Sequence, residues 1–132
     1  MSTRRQKPSI TPTSDLDLEI SFLEGVVASE PNYIEALQIL GDAYTRRGDY
    51  QKGLQTDLKL LKLNPDNPVV LYNLACNLSR LGRNAEALDA LEKAVKLGYR
   101  DESHLRRDKD LDNLRDEPRF KRICESISSA PR

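Results

Sequence analysis

The chain has 132 residues, of which 38% are hydrophobic and 32% are charged. This length predicts a single domain, and the composition suits a thin, well-solvated helical array better than a thick globule. Lysine plus arginine and aspartate plus glutamate each number 21, so the formal net charge is zero. That balance argues against nucleic-acid binding, which needs a basic stripe, and against attraction to an anionic membrane.

The start of the chain and its cysteines indicate an intracellular protein. The first basic residues lead into Ser/Thr/Pro-rich sequence rather than an apolar run, so we expect neither a signal peptide nor a transmembrane helix. Residues 1–13 contain Pro8 and Pro12 without apolar periodicity and are predicted to form a flexible tail. Cys76 and Cys124 lie far apart without a CxxC pair, which favours reduced thiols and a cytoplasmic location.

A repeat of 34 residues dominates the sequence. The segment 34–65 recurs once, and residues of the same type stand one period apart: Pro31 and Pro65, Leu37 and Leu71, Leu40 and Leu74, Gly48 and Gly82, Leu54 and Leu88, Leu63 and Leu97. A period of this length is typical of helix–turn–helix solenoids. We therefore predict an all-α array over residues 14–99, made of a half repeat (14–32) and two full repeats (33–66 and 67–99).

The first predicted helix precedes the two full repeats. Ser14 is placed to cap its start, with Asp17 three residues later in an approximate capping box. Apolar residues follow at helical spacing: Leu16, Ile20, Leu23, Val26 and Val27. Shifted by one period, this helix corresponds to the second helix of a repeat. It is therefore predicted to cap the N-terminal end of the array.

Turn residues separate the helices of the two full repeats. Asn32 and Asp49 are expected to cap the helices that follow them. Asn67 is placed to cap the next helix, with Pro68 in its first turn. Gly48 can adopt the left-handed conformation that ends a helix. The helix after Asp49 should bury one stripe of leucines: Leu54, Leu58, Leu60, Leu61 and Leu63.

Beyond Tyr99 the repeat register fails, because Lys109 and Asp116 stand where a small residue and a glycine would fall. Residues 100–116 are predicted to form one or two short helices, and a last helix should run from about Glu117 to Ser128. Their apolar anchors are Leu105, Leu111, Leu114, Phe120, Ile123 and Ile127. We expect residues 100–128 to cap the array and residues 129–132 to form a tail.

The repeat pattern resembles the tetratricopeptide repeat. In the first unit it reads Leu37, Leu40, Gly41, Tyr44, Gly53 and Pro65, and in the second Leu71, Leu74, Ala75, Ala87 and Ala94. The resemblance implies a right-handed superhelical α-solenoid of antiparallel helix pairs, in which Gly41 lets two helices approach closely. The ending after Gly98 is similar to that of many bacterial tetratricopeptide proteins, which implies a bacterial source.

Three positions depart from the family pattern. Gly53 stands where the family usually has alanine, and Tyr99 stands where its terminal proline would be. Asp57 replaces a residue that is commonly large and apolar. We therefore expect the second helix of the first unit to pack less fully than that of the second unit.

The resemblance also implies a binding surface, because the first helix of each tetratricopeptide repeat lines the concave face. Tyr72 is the expected anchor, since it is large and amphipathic and has little conformational entropy to lose. Any single residue of this face is also open to the interpretation that it contacts only water. The expected partner-binding residues are Glu35, Gln38, Asp42, Thr45, Arg46, Val69, Tyr72, Asn73, Cys76, Ser79 and Arg80.

More specific chemistry is not expected. Some family members hold a peptide carboxylate with Lys and Asn on the first inner helix. Here Gln38 and Asp42 replace that pair, so no such clamp is predicted although Asn73 matches the Asn of the second inner helix. His104 has no second ligand at metal spacing, and Cys76 has no sequence neighbour that would activate it. With no phosphate-binding loop or hydrolase motif, we predict no metal, no cofactor and no enzymatic activity.

The sequence thus predicts a non-catalytic adaptor that binds a protein or peptide partner in its concave groove. The alternative is a structural subunit that self-associates through its ends into a homo-oligomer, because the half repeat leaves Val26 and Val27 in need of cover. Neither a nucleic acid nor a membrane is expected as a partner.

Overall fold

The computed structural model describes residues 14–129, and every regular element in that range is helical. The predicted all-α class is confirmed. Residues 1–13, predicted to form the first tail, lie outside the described residues, and so do residues 130–132 of the second predicted tail. Ser129, which was predicted to begin that second tail, ends the last helix. The helices are α1 (Asp15–Ser29), α2 (Ile34–Arg47), α3 (Tyr50–Leu63), α4 (Pro68–Arg80), α5 (Asn84–Lys96), α6 (Glu102–Arg107), a 3-10 helix (Lys109–Leu114) and α7 (Pro118–Ser129).

Successive helices pack side by side along the chain. α1 packs on α2, α2 on α3, α3 on α4 and α4 on α5, and α2 also touches α4. The pairs α2–α3 and α4–α5 have the order and packing expected of the two full repeats, and α1 precedes them as expected of the half repeat. This arrangement is the predicted α-solenoid of antiparallel helix pairs.

Two of the predicted helix starts are formed by side-chain caps. The Ser14 hydroxyl accepts a hydrogen bond from the Asp17 amide at 3.0 Å. The Asn67 side-chain oxygen accepts from the amides of Val69 and Val70 at 2.9 and 3.3 Å, and Pro68 occupies the first turn. Each cap satisfies backbone N–H groups that have no partner within the helix.

The other two predicted caps are wrong. Tyr33, not Asn32, precedes α2, and it makes no side-chain capping bond. Asp49 does precede α3, but its carboxylate binds the Arg47 guanidinium at 2.5 Å and caps nothing. A full ion pair on the preceding helix has therefore displaced the weaker capping bond.

Gly48 ends α2 in the left-handed conformation, with φ of 92°. The following amide, that of Asp49, then donates to the Tyr44 carbonyl at 2.8 Å. Gly82 repeats this turn with φ of 79°, and Arg83 donates to Leu78 at 2.9 Å. The predicted glycine turn is confirmed at both positions of the period.

The leucine stripe of α3 is only partly as predicted. Leu54 and Leu60 are buried, whereas Leu58 is 47% exposed. Asp57 takes the inward position because the buried residues Gly53, Leu54, Asp57 and Leu60 form an arc centred near Asp57, and residue 58 lies about 100° around the helix from that centre. Leu61 and Leu63 are half-buried.

The C-terminal segment, residues 100–129, covers the end of the array. Its 3-10 helix packs on α4, and α7 packs on α5 and α6. The anchors Leu105, Leu111 and Leu114 are fully buried, and Phe120 is nearly so. This segment is called the cap from here on.

Candidate functional site

The open part of the face formed by α2 and α4 is a shallow groove of about 480 Å³. Ile39 and Val69 expose 48% and 57% of their surface there, although both are apolar. Between them lie the half-buried amides of Gln38 and Asn73. The groove is lined by Gln38, Ile39, Asp42, Leu60, Asn67, Val69, Val70 and Asn73.

Charged side chains stand along the α2 side of this groove. Glu35 and Asp42 are exposed. The Arg46 guanidinium donates to Asp42 at 2.8 Å and reaches Glu19 of α1 at 3.4 Å. Because the two ion pairs of Arg46 lie in solvent, each contributes less than about 1 kcal/mol to folding, and the charges remain within reach of a partner.

The prediction that Tyr72 faces an open groove is wrong. Its ring is 95% buried, stacks on Tyr99 with 4.5 Å between centroids, and its hydroxyl donates to Asp108 at 2.5 Å. The Asp108 contact comes from the cap, and Tyr99 is the residue that immediately precedes the cap. Tyr72 therefore joins the repeats to the cap instead of offering its ring to a partner.

Cys76 and Ser79 are likewise buried beneath the cap, contrary to the expected exposure. The Ser79 carbonyl accepts a hydrogen bond from the Asn113 amide at 2.6 Å. Arg80 stays exposed, but its guanidinium donates to Asp110 at 2.8 Å and lies 5.3 Å from the Tyr50 ring centroid. The C-terminal half of α4 is thus occupied by contacts within the chain.

Burial also decides the chemistry of these groups. Desolvation, with the nearby Asp108 carboxylate, raises the pKa of the Cys76 thiol well above its usual value. Desolvation likewise raises the pKa of the Tyr72 hydroxyl, and it raises that of Tyr99 to about 12. All three groups are therefore protonated at neutral pH, and Cys76 lacks the thiolate that a nucleophile or metal ligand needs.

Three side chains of the types that ligate metal ions meet where the cap contacts α4. The Cys76 sulfur and the carboxylates of Asp108 and Asp110 lie within 4.8 Å of one another. Both carboxylates already accept hydrogen bonds, from Tyr72 and Arg80 respectively. His104 adds a contact to Asp108 at 3.3 Å. These carboxylates therefore already join the cap to α4 through hydrogen bonds. That the chain binds no metal ion remains a prediction.

Thr45 belongs to a buried polar network rather than to the groove. Its hydroxyl donates to the Asn77 side-chain oxygen at 2.9 Å, and the Asn77 amide donates to the Asp57 carboxylate at 3.0 Å. Desolvation raises the pKa of Asp57 to about 7. A Cβ at Gly53 would lie 2.8 Å from the Asn77 nitrogen, so glycine makes room for this amide.

The network explains two departures from the repeat pattern together. Asp57 is 99% buried, and a Cβ at Gly41 would lie 2.8 Å from its carboxylate, which confirms the close approach predicted there. Sequence reasoning did not connect Gly53 to Asp57. It also missed Ile39, which stands beside the buried Leu40 and outside the apolar stripe of α2. The available signal was that Ile39 is apolar but lies outside the buried stripe of α2, which is typical of a contact surface.

The array of helix pairs places the chain among helical-repeat solenoids. Models of the tetratricopeptide repeat match residues 34–67 and 68–101, and together they cover about half of the chain. The chain belongs to the tetratricopeptide repeat family. Its array is therefore a protein–protein interaction module, and proteins of this family are in general non-catalytic scaffolds.

Several relatives share the repeats. A chloroplastic protein of Arabidopsis thaliana is 34% identical over 94 residues, which is 66% of this chain and 28% of that protein. PEX5-related protein of Homo sapiens is 30% identical over 62% of this chain and 13% of its own length. A TPR repeat-containing protein of Picosynechococcus is 35% identical over 52% of this chain and 18% of its own length. The chain therefore spans less than a third of these relatives.

Two solved structures share the fold. MamA MSR-1 superposes with a TM-score of 0.68 at 24% identity, covering 88% of this chain and 69% of the other. MamA AMB-1 gives a TM-score of 0.65 at 26% identity, covering 85% and 64%. Both comparisons support the solenoid architecture. Across residues 14–129, no helix is long and apolar enough to span a membrane.

Proposed function

We propose that this chain is a non-catalytic adaptor that holds a short segment of a partner protein in the groove between α2 and α4. The observation that carries the proposal is the exposure of Ile39 and Val69 in one groove, with two amides between them. Exposed apolar side chains grouped with convergent polar groups are the usual composition of a recognition site.

The groove suits a segment that presents one or two apolar side chains. Ile39 and Val69 would be desolvated by that contact, which supplies affinity. Gln38 and Asn73 each carry both donors and an acceptor, so they can pair with the polar groups of the same segment. An amphipathic helix laid into the groove, or a short extended peptide, meets both requirements.

Charge limits which part of the partner binds. Asp42 stands where a carboxylate-clamping relative needs an amide, and it would repel a C-terminal carboxylate. Glu35 is exposed along the same edge. We therefore infer that the bound segment is internal to its protein, and that a basic residue beside its apolar anchor would favour binding.

The setting we propose is the bacterial cytoplasm. Cys76 and Cys124 are free and buried, which suits a reducing compartment. The similar protein of Picosynechococcus supports a bacterial source. We assign no catalytic role, because the buried thiol of Cys76 is protonated and proteins of this family are in general non-catalytic scaffolds.

The test is a capture experiment from native lysate, followed by titration of the identified partner segment. The variant Ile39→Ala/Val69→Ala should lose the protein that the wild type captures and bind the purified segment about 10- to 100-fold more weakly, because two anchors are truncated. Leu58→Ala is the matched control, since Leu58 is equally exposed but lies on α3 outside this groove.

Helicity and melting temperature should be unchanged in both variants, because the truncated side chains are exposed. If the double variant captured and bound the same segment as tightly as the wild type, the groove would not be the binding site. A segment that bound only through its free C-terminal carboxylate would contradict the inferred internal location.

A further inference from the structure

The outer side of α1 carries a row of uncharged side chains that nothing in the described part of the chain covers. We call this row the end face; it consists of Leu18, Ser21, Phe22, Gly25 and Ser29. Leu18 and Phe22 are 58% and 70% exposed. Residues 18, 22, 25 and 29 follow helical spacing, so they form one stripe.

α1 is apolar on two opposite sides. Ile20 and Leu23 pack against α2, while Leu18 and Phe22 point the other way. An apolar stripe on a helix of a folded domain is normally covered by another element. α3 has a neighbour on two sides, α2 and α4, whereas α1 packs on α2. The end face therefore has the composition of a contact surface.

We propose that the end face is an interface between two copies of this chain, with their α1 helices antiparallel about a two-fold axis. If the axis passes midway between residues 23 and 24, it places Phe22 of one copy against Gly25 of the other, and Leu18 against Ser29. Each large residue then meets a small one. A Cβ at Gly25 would meet nothing within 4 Å, so the space for the Phe22 ring is open.

Charge favours this orientation. Three of the carboxylates of α1 are engaged on the side facing α2: Asp17 with Arg47 at 3.1 Å, Glu19 with Arg46 at 3.4 Å, and Glu24 with the Tyr44 hydroxyl at 2.5 Å. The end face itself has no charged side chain. An antiparallel pair keeps the two Asp15 carboxylates at opposite ends and opposes the helix dipoles, whereas a parallel pair would bring like charges together.

The size of the contact implies a weak dimer. α1 has 15 residues and is about 22 Å long, so a single helix pair buries on the order of 800–1,000 Å² in total. That area is below the roughly 1,200 Å² that stable specific interfaces bury, and it is the size of a weak, transient contact. We expect a dissociation constant on the order of tens of micromolar. The proposal does not rest on partner binding in the groove, which is formed by other helices.

Sedimentation equilibrium of the full chain from about 5 to 500 µM tests the proposal. The wild type should convert from monomer to dimer across this range. Phe22→Ala should weaken dimerisation on the order of 100-fold, since each substitution removes two contacts in a two-fold interface. Gly25→Phe should weaken it as well, because two large rings would then meet.

The double variant Phe22→Ala/Gly25→Phe exchanges the large and the small residue and should restore dimerisation to within about threefold of the wild type. Leu58→Ala, on another helix, should dimerise like the wild type. A wild type that stays monomeric at 500 µM, dimerisation unaffected by Phe22→Ala, or a double variant no better than its single parents would each overturn the proposal.

Discussion

Replacing Asp57 with asparagine should stabilise the fold at neutral pH and remove a pH-dependent part of its stability. Asp57 of α3 faces α2 and α4, is 1% exposed, and receives one hydrogen bond from Asn77 at 3.0 Å. Desolvation therefore raises the pKa of this carboxyl from 3.8 to about 7. Asparagine keeps the oxygen that accepts the Asn77 hydrogen bond and carries no charge to desolvate.

The direction of the pH effect follows from proton binding. Between pH 4 and pH 7 the folded state holds the Asp57 proton that the unfolded state has lost, so raising the pH favours unfolding. The stabilisation is complete below pH 4 and is lost as pH rises through about 7. At about 1.4 kcal/mol per pKa unit, ionisation of Asp57 should lower the free energy of unfolding by about 2–3 kcal/mol as the pH rises from 5 to 8.

Urea unfolding of the wild type and Asp57→Asn at intervals from pH 5 to pH 8 measures this cost. Plotted against pH, the free energies of unfolding of the two proteins should diverge by about 2–3 kcal/mol between pH 5 and pH 8, with Asp57→Asn the more stable at high pH. This difference is equivalent to roughly 10 °C in melting temperature. Asp116→Asn, an exposed carboxylate in the cap, is the control and should run parallel to the wild type. Parallel curves for the wild type and Asp57→Asn would refute the argument that burial raises this pKa.

Substitutions at three further positions test the packing of the network, of α1 and of the contact between Tyr72 and the cap. Gly53→Ala should destabilise the fold by about 1–3 kcal/mol in urea unfolding, because its Cβ would lie 2.8 Å from the Asn77 nitrogen. Gly25→Ala, with open space around the added Cβ, should instead stabilise by up to about 1 kcal/mol. Tyr72→Ala should cost about 3–5 kcal/mol and Tyr72→Phe about 1, since only the former removes the ring. Equal melting temperatures for wild type and Tyr72→Ala would contradict the contact with the cap.

The helices were predictable because their signals are local. Period, apolar spacing and turn residues such as Gly48 and Pro68 act over a few residues, and the structure follows them. The capping errors at Asn32 and Asp49 show the limit of that reasoning. The Asp49 carboxylate binds Arg47 of the preceding helix, a competition between two contacts that no local pattern reports.

The site was less predictable because it depends on which surfaces remain uncovered. Gly53 and Asp57 each look like a defect in the repeat, yet together with Asn77 from the next repeat they form one buried network. The side chain that links them lies 20 residues from Asp57. Without the three-dimensional arrangement, only the irregularity of each position could be observed.

The cap limits the length of the partner segment that the proposed groove could hold. Because it buries Tyr72, Cys76 and Ser79, the groove ends halfway along α4, and the open part runs beside α2, whose 14 residues extend about 21 Å. A helical segment of that length has about four turns and presents two to four apolar side chains on one face. Ile39 and Val69 supply two contacts for such a face, so affinity must rest on few anchors. A partner that needs higher affinity than two anchors provide would gain it from two copies of the chain acting together, which is what dimerisation through α1 would supply.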